Sequence, residues 1–236
     1  MMSGFKSLLA ALVLAAPARA VWTPQPLGDD DGPVQGGVAN DTLACLILSE
    51  GDCVARASAA KMLTSDARDV PQSPPVFGLP GTFERLFAAY PNGSSDTVKA
   101  LIGRRSEAWI ENTCAIRVSY ALNFSGIDDL KIDAAFAAMS KEIHFITDKS
   151  KPAKNVVYIY RVDEFANYLL KKYGRPQIWA KKGHDNLRQK VYGKKGIILF
   201  VVNSWDNATG HFDLWNKDKP AHEDYFDQAS DVFLWQ

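Results

Sequence analysis

Charge of either sign is missing in excess from this chain: 27 lysines and arginines meet 27 aspartates and glutamates over 236 residues. No net field exists to draw the protein onto nucleic acid, so no nucleic-acid partner is expected. The local basic stretch of Lys181, Lys182, Arg188, Lys190, Lys194 and Lys195 reads as a solvated face. Past the first twenty residues no apolar run approaches the roughly 20 residues that cross a bilayer, so no membrane anchor is expected. Histidines number four and cysteines three, and none falls in the close pairs that zinc sites use. No metal or organic cofactor is expected. A Gly-x-Ser-x-Gly elbow is absent, which argues against a serine hydrolase, and no internal repeat appears.

What is present describes a globular protein: 47% apolar residues and six tryptophans suffice for one core domain. The first residues read as a secretory signal, with Lys6, an apolar stretch from Leu8 to Ala16, and Ala18-Arg19-Ala20 as the cleavage site. Export is therefore expected, to the extracellular space or to the periplasm of a bacterium. In an oxidising compartment Cys45 and Cys53, close together in a polar segment, form the expected disulfide and leave Cys114 alone. A lone thiol there is either buried and inert or kept for its reactivity. Sequons at Asn40, Asn92, Asn123 and Asn207 permit N-glycosylation in a eukaryotic source.

Residues 21–82 are rich in Gly, Asp and Pro, hold two short helical stretches at Thr42–Leu48 and Ala55–Leu63, and end in a Pro-rich linker; they read as an N-terminal extension. The core domain spans 83–236. Phe83, Leu86, Phe87 and Tyr90 recur at helical spacing, and a second helix runs from Asp96 to Ile102. Asn112 or Thr113 can cap a third helix that stops at Gly126, which puts Cys114 in its first turn. Further helices are expected at Asp129–Met139 and from an Asp163 cap to Gly174. Strands are expected at Val156–Val162, Gly196–Val202 and His211–Trp215; a helical turn at Tyr225–Ala229 and a last strand at Asp231–Trp235 close the chain. Helices first and antiparallel strands after make an α+β domain.

A cysteine at a helix N-terminus is where backbone N–H groups and the helix dipole favour thiolate over thiol. The N–H of the nucleophile, with a donor such as Asn112, would also form an oxyanion hole. His211, which opens a strand in Gly210-His211-Phe212-Asp213-Leu214-Trp215, is the candidate base, because a thiol on an early helix and a histidine on a later strand follow the order of papain-like folds. The group orienting the imidazole is open. Asp224 lies in the loop after the strand; Asp213 lies on the same strand face but about 6 to 7 Å away; Asp218, His222 and Glu223 share the loop.

The run Asn112-Thr113-Cys114-Ala115-Ile116-Arg117-Val118-Ser119-Tyr120-Ala121-Leu122-Asn123, then Gly196-Ile197-Ile198-Leu199-Phe200, then Gly210-His211-Phe212-Asp213-Leu214-Trp215-Asn216, with the closing Tyr225-Phe226 and Leu234-Trp235, resembles the type VI secretion amidase effectors of the fourth family. The resemblance implies a papain-like, NlpC/P60-related peptidase, with Cys114 as nucleophile and His211 as base. It implies cleavage of the D-glutamate–diaminopimelate amide in peptidoglycan stems, a peptidoglycan partner, and an immunity protein in a bacterial setting. By position it favours Asp224 as the acid. The chain departs from the family in its leader, its extension, and a loop at Lys217–Glu223 without the cysteine pair that some members carry there. That combination looks like an effector rerouted to ordinary secretion as an antibacterial factor. A secreted protease or acyltransferase acting on proteins would share the catalytic pair, and a wall-binding protein would keep the fold with an inert Cys114.

Overall fold

The computed structural model describes residues 74–133, 143–151, 156–206 and 208–236. The leader, the Cys45–Cys53 pair, the extension's helices, Asn40 and Asn207 lie outside the described residues.

Three helices come first. Helix α1 (Thr82–Ala89) buries Phe83 and Leu86, and the Glu84 carboxylate turns back to accept from the Gly81 N–H at 2.6 Å. Helix α2 (Ser95–Leu101) starts where the Ser94 hydroxyl accepts from the Thr97 N–H. Helix α3 (Cys114–Phe124) is buried along nearly its whole length. Its apolar residues point both ways, which explains why it lacks a one-sided pattern. The polar members of α3 are matched to partners. Ser119 donates to Ile159 O and accepts from Ile159 N–H, both at 3.2 Å, and the Asn123 amide donates to Val157 O at 2.8 Å. These bonds hold a small hairpin, β1 (Phe145–Thr147) with β2 (Val157–Ile159), against α3.

The strand expected through Val162 ends at Ile159, because Arg161 is the cap of helix α4 (Val162–Tyr173). Asp163, expected as the cap, lies in the first turn with Glu164, where the positive end of the helix dipole still favours it. Gly174 closes α4 with φ 76°, a conformation that glycine adopts without a Cβ clash. The helix expected at Asp129–Met139 begins as a single 3-10 turn, Asp128–Leu130, and its later part lies outside the described residues. Tyr225–Ala229 is a turn, closed by the Ala229 N–H on Tyr225 O at 2.8 Å.

Then follow β3 (Ile178–Lys181), α5 (Leu187–Val191), β4 (Lys194–Val201), β5 (Gly210–Lys217), β6 (Lys219–Pro220) and β7 (Asp231–Trp235). The sheet order is β3-β7-β4-β5-β6, antiparallel throughout. The continuous apolar run of β4 fits its place between β7 and β5, buried on both faces. Ile197, Leu199, Val201, Phe212, Leu214, Phe233 and Trp235 meet α1, α3 and α4 on one face. Ile198, Phe200, Val202, Trp215, Val232 and Leu234 meet α5 and the Phe226 loop on the other. Both core indoles find acceptors, Trp215 on Val191 O at 2.8 Å and Trp235 on Gly174 O at 2.9 Å, so their burial leaves no N–H unmatched.

Candidate active site

Helix α3 packs against β5, and its first residue reaches the strand beside His211. The backbone N–H of Phe212 points at the Cys114 thiol, as does that of Ala115. Phe212 can offer this N–H because β6 pairs only with Trp215 and Asn216, which leaves the start of β5 open on that edge. Cys114 thus lies against the backbone of the residue that follows His211, nearly a hundred residues further along the chain.

Gly210 makes this placement possible. A Cβ there would lie 2.2 Å from Phe200 O, so only glycine lets β5 approach β4 closely just before the histidine. The imidazole then packs on the Tyr225 ring at 4.7 Å, while Tyr225 meets Trp205 edge-on at 4.8 Å.

Both groups are buried, Cys114 to 3% and His211 to 6% exposure, and burial weighs on their charge. Loss of water pushes the Cys114 thiol up to about 11, against the opposing pull of the Phe212 and Ala115 N–H groups. Loss of water lowers His211 to about 4, with Glu223 opposing and His222 and Arg117 adding to the shift. Both shifts favour neutral thiol and neutral imidazole at rest. The thiolate expected from the helix terminus is opposed, because a partial charge of about half a unit at a helix end is outweighed by desolvation of a full one.

The Asn112 side chain, expected to donate to an oxyanion, here accepts: its Oδ1 takes the Cys114 N–H at 3.0 Å. Asp224 makes no hydrogen bond to His211; its carboxylate pairs with Arg188 at 2.8 Å. Asp213 is fully buried and also turned elsewhere, because its oxygens accept from the N–H groups of Leu214 (2.7 Å), His222 (2.9 Å) and Glu223 (2.8 Å). Those bonds pin the loop after β6 to β5. Asp213 therefore fixes which way residues 222 and 223 face.

The anion that bears most on His211 is Glu223. Its carboxylate accepts from the Tyr225 hydroxyl, which holds it below the usual carboxylate range, and it lies 3.7 Å from His222 Nδ1. Nε2 of His211 is buried and has no hydrogen-bond partner among the described residues. Arg117 was not singled out from the sequence. Its buried guanidinium donates to Pro91 O at 2.7 Å and Gly93 O at 2.6 Å, and its charge is felt by Cys114, His211 and Glu223 alike. An arginine three residues after the cysteine, the one charged residue of that helix, was the available signal.

Of the sequons, Asn92 is exposed. Asn123 is buried, its amide held between Val157 O and the Ile132 N–H.

Residues 110–235, over half of the chain, match the family described as type VI secretion system (T6SS), amidase effector protein 4 (Tae4). The chain belongs to this family. No curated protein matches it. Among solved structures it resembles Tae4 from Salmonella typhimurium in complex with the immunity protein Tai4 from Enterobacter cloacae, at 26% identity and TM-score 0.54, over 65% of this chain and 96% of that one. The same Salmonella effector in its Salmonella Tae4–Tai4 complex matches equally, at 26% identity and TM-score 0.54, over 65% and 96% of the two chains. Tae4 from Enterobacter cloacae shares the fold at 22% identity and TM-score 0.54, covering 70% of this chain and 97% of its own. The Tae4 fold is papain-like and NlpC/P60-related, and Tae4 enzymes are peptidoglycan amidases. This chain is an amidase of that class.

Proposed function

We propose that the protein cleaves the D-glutamate–diaminopimelate amide of peptidoglycan stems by thiol catalysis, with Cys114 as nucleophile and His211 as base. What supports this most is the meeting of the Cys114 thiol with the Phe212 N–H, next to His211, in an amidase fold. As substrate enters, neutral His211 takes the thiol proton while sulfur attacks the amide carbon. The carbonyl oxygen becomes an oxyanion. The Cys114 N–H can hold it once Asn112 Oδ1 lets go, and the Asn112 amide is then placed to donate its own N–H. His211 returns the proton to the leaving amine, and water hydrolyses the thioester to restore the thiol. Glu223 turns from Tyr225 to accept from Nε2 and steadies the imidazolium that forms during proton transfer.

At rest the imidazole is held near 4 and the thiol near 11, so proton transfer between them is uphill until substrate entry and the Glu223 carboxylate raise the imidazole; the masked thiol meanwhile resists oxidation outside the cell. Export by the leader at residues 1–20 is part of the reading, as is an antibacterial role. The Salmonella and Enterobacter relatives are seen with the immunity protein Tai4, and a protein inhibitor that seats on the site is the corresponding partner here.

The test is digestion of Gram-negative sacculi by the protein and by Cys114→Ala, with released muropeptides read by mass spectrometry. Fragments with a new amine on diaminopimelate from the native protein alone are expected. Folded protein that releases nothing would end the proposal, and casein cleavage in its place would mark a protease.

A further inference from the structure

The strand that carries His211 ends, at its far end, in a second concavity. A groove of about 390 Å³ lies between α1 and this end of the sheet, floored by Phe83 and Phe87 and walled by Lys195, Asn216, Lys217 and Lys219. The pairing gathers positive charge there, because Lys194 lies opposite Lys217 and Asn216 lies opposite Lys219. Lys195 is matched by Glu84 at 2.6 Å. Lys194, Lys217 and Lys219 are exposed and have no carboxylate within ion-pair distance among the described residues. Asp218 is the other acid on the rim.

Lys217 is also the one non-glycine residue with positive φ, 65°, among the described residues, in a tight turn closed by the Asp218 N–H on Asn216 O at 2.8 Å. Glycine would relieve a strain of about 1 kcal/mol at that position. The lysine instead sets an ammonium on the rim.

His211 and Lys217 are six residues apart on one extended strand, about 20 Å. A stem of a few residues held at Cys114 does not also fill a groove at that distance, but a polymer that repeats its stems can. Each stem built from glutamate and diaminopimelate keeps free carboxylates after its amide bonds are made, so the polymer is anionic where the groove is cationic. We propose that this groove is a second wall-binding subsite, taking the carboxylates of a neighbouring peptide stem of the polymer that is cut at Cys114. It rests on the amidase reading above and adds to it a preference for polymer over monomer.

The variant Lys217→Gly with Lys219→Ser removes two charges and relieves the positive φ, so misfolding is not built into it. On a soluble disaccharide-tetrapeptide monomer its kcat/KM should stay within about twofold of the native value, while its initial rate on intact sacculi falls about fivefold or more and loses most of its salt dependence. Equal rates on sacculi, or equal loss on both substrates, would overturn the proposal. So would binding to lipopolysaccharide vesicles that the variant loses while its sacculus rate is unchanged, since phosphate would then be the occupant. Cosedimentation with sacculi, measured on Cys114→Ala, separates the two readings. A native protein that cleaves neither substrate ends the amidase reading, whereas undiminished cosedimentation after the lysines are also replaced ends the groove proposal.

Discussion

Alkylation of Cys114 in the free protein tests the neutral resting state directly. Burial pushes the thiol from its ordinary value up to about 11. At about pH 7.5 the thiolate fraction is then about 100-fold smaller than that of an ordinary cysteine, and the rate with iodoacetamide should fall at least as far, because the 3% exposure also hinders access. The log of the rate should climb with unit slope from about pH 6 to beyond pH 10. Following the Cys114 peptide by mass spectrometry keeps Cys45 and Cys53 out of the measurement. A plateau across about pH 5 to 8, with a rate above that of glutathione, would mean a thiolate–imidazolium pair at rest. That result would refute the argument that desolvation outweighs the helix terminus at this site.

Three further outcomes are expected. Glu223→Gln should lower kcat roughly 10- to 100-fold with little change in KM, and Asp224→Asn should change it less than about threefold; the reverse ranking in muropeptide assays would put Asp224 on the imidazole after all. Gly210→Ala should destabilise the fold by about 2 kcal/mol or more, since its Cβ would sit 2.2 Å from Phe200 O, and should depress activity even where the protein stays folded, because His211 moves with the strand; unchanged urea midpoint and rate would contradict the close approach of β5 to β4. Acid should weaken the fold through His211. The unfolded chain takes up the proton near 6.5 and the folded one near 4, so stability is fully held above about 6.5, is lost as pH falls through 4, and is down by about 2 kcal/mol at pH 5. Urea midpoints of His211→Phe should lack that slope, and a slope equal to the native one would assign it to other groups.

Much of the site was legible from residue order. A cap-like Asn-Thr before Cys114, the helix behind it and the Gly210-His211 start of a strand are local patterns, and the structure has α3 and β5 there. The short elements were not legible. β3 is four residues, β6 two, and α5 a single turn and a half, too little chain for a period to show, and each exists because a neighbour supplies partners. The boundary after Ile159 was misread because Tyr160, Arg161 and Val162 suit a strand by composition, while the hairpin stops pairing at Ile159.

The loop after β6 shows where local reading ends. Glu223 and Asp224 are adjacent acids with the same chemistry, and nothing along the chain distinguishes them. Asp213 does so in space: by taking the N–H groups of His222 and Glu223 it sets the loop so that Glu223 bears on His211 and Asp224 turns out to Arg188. The sequence by itself determined the fold class and the family, and it singled out Cys114 and His211 as the candidate pair, because each rests on patterns within a few residues or on their order. Only the tertiary structure decided the charge of the pair, the partner of the Cys114 N–H and the facing of the acids. Those depend on how much water is excluded and on which backbone groups are left unpaired, and both are set by contacts between segments far apart in the chain.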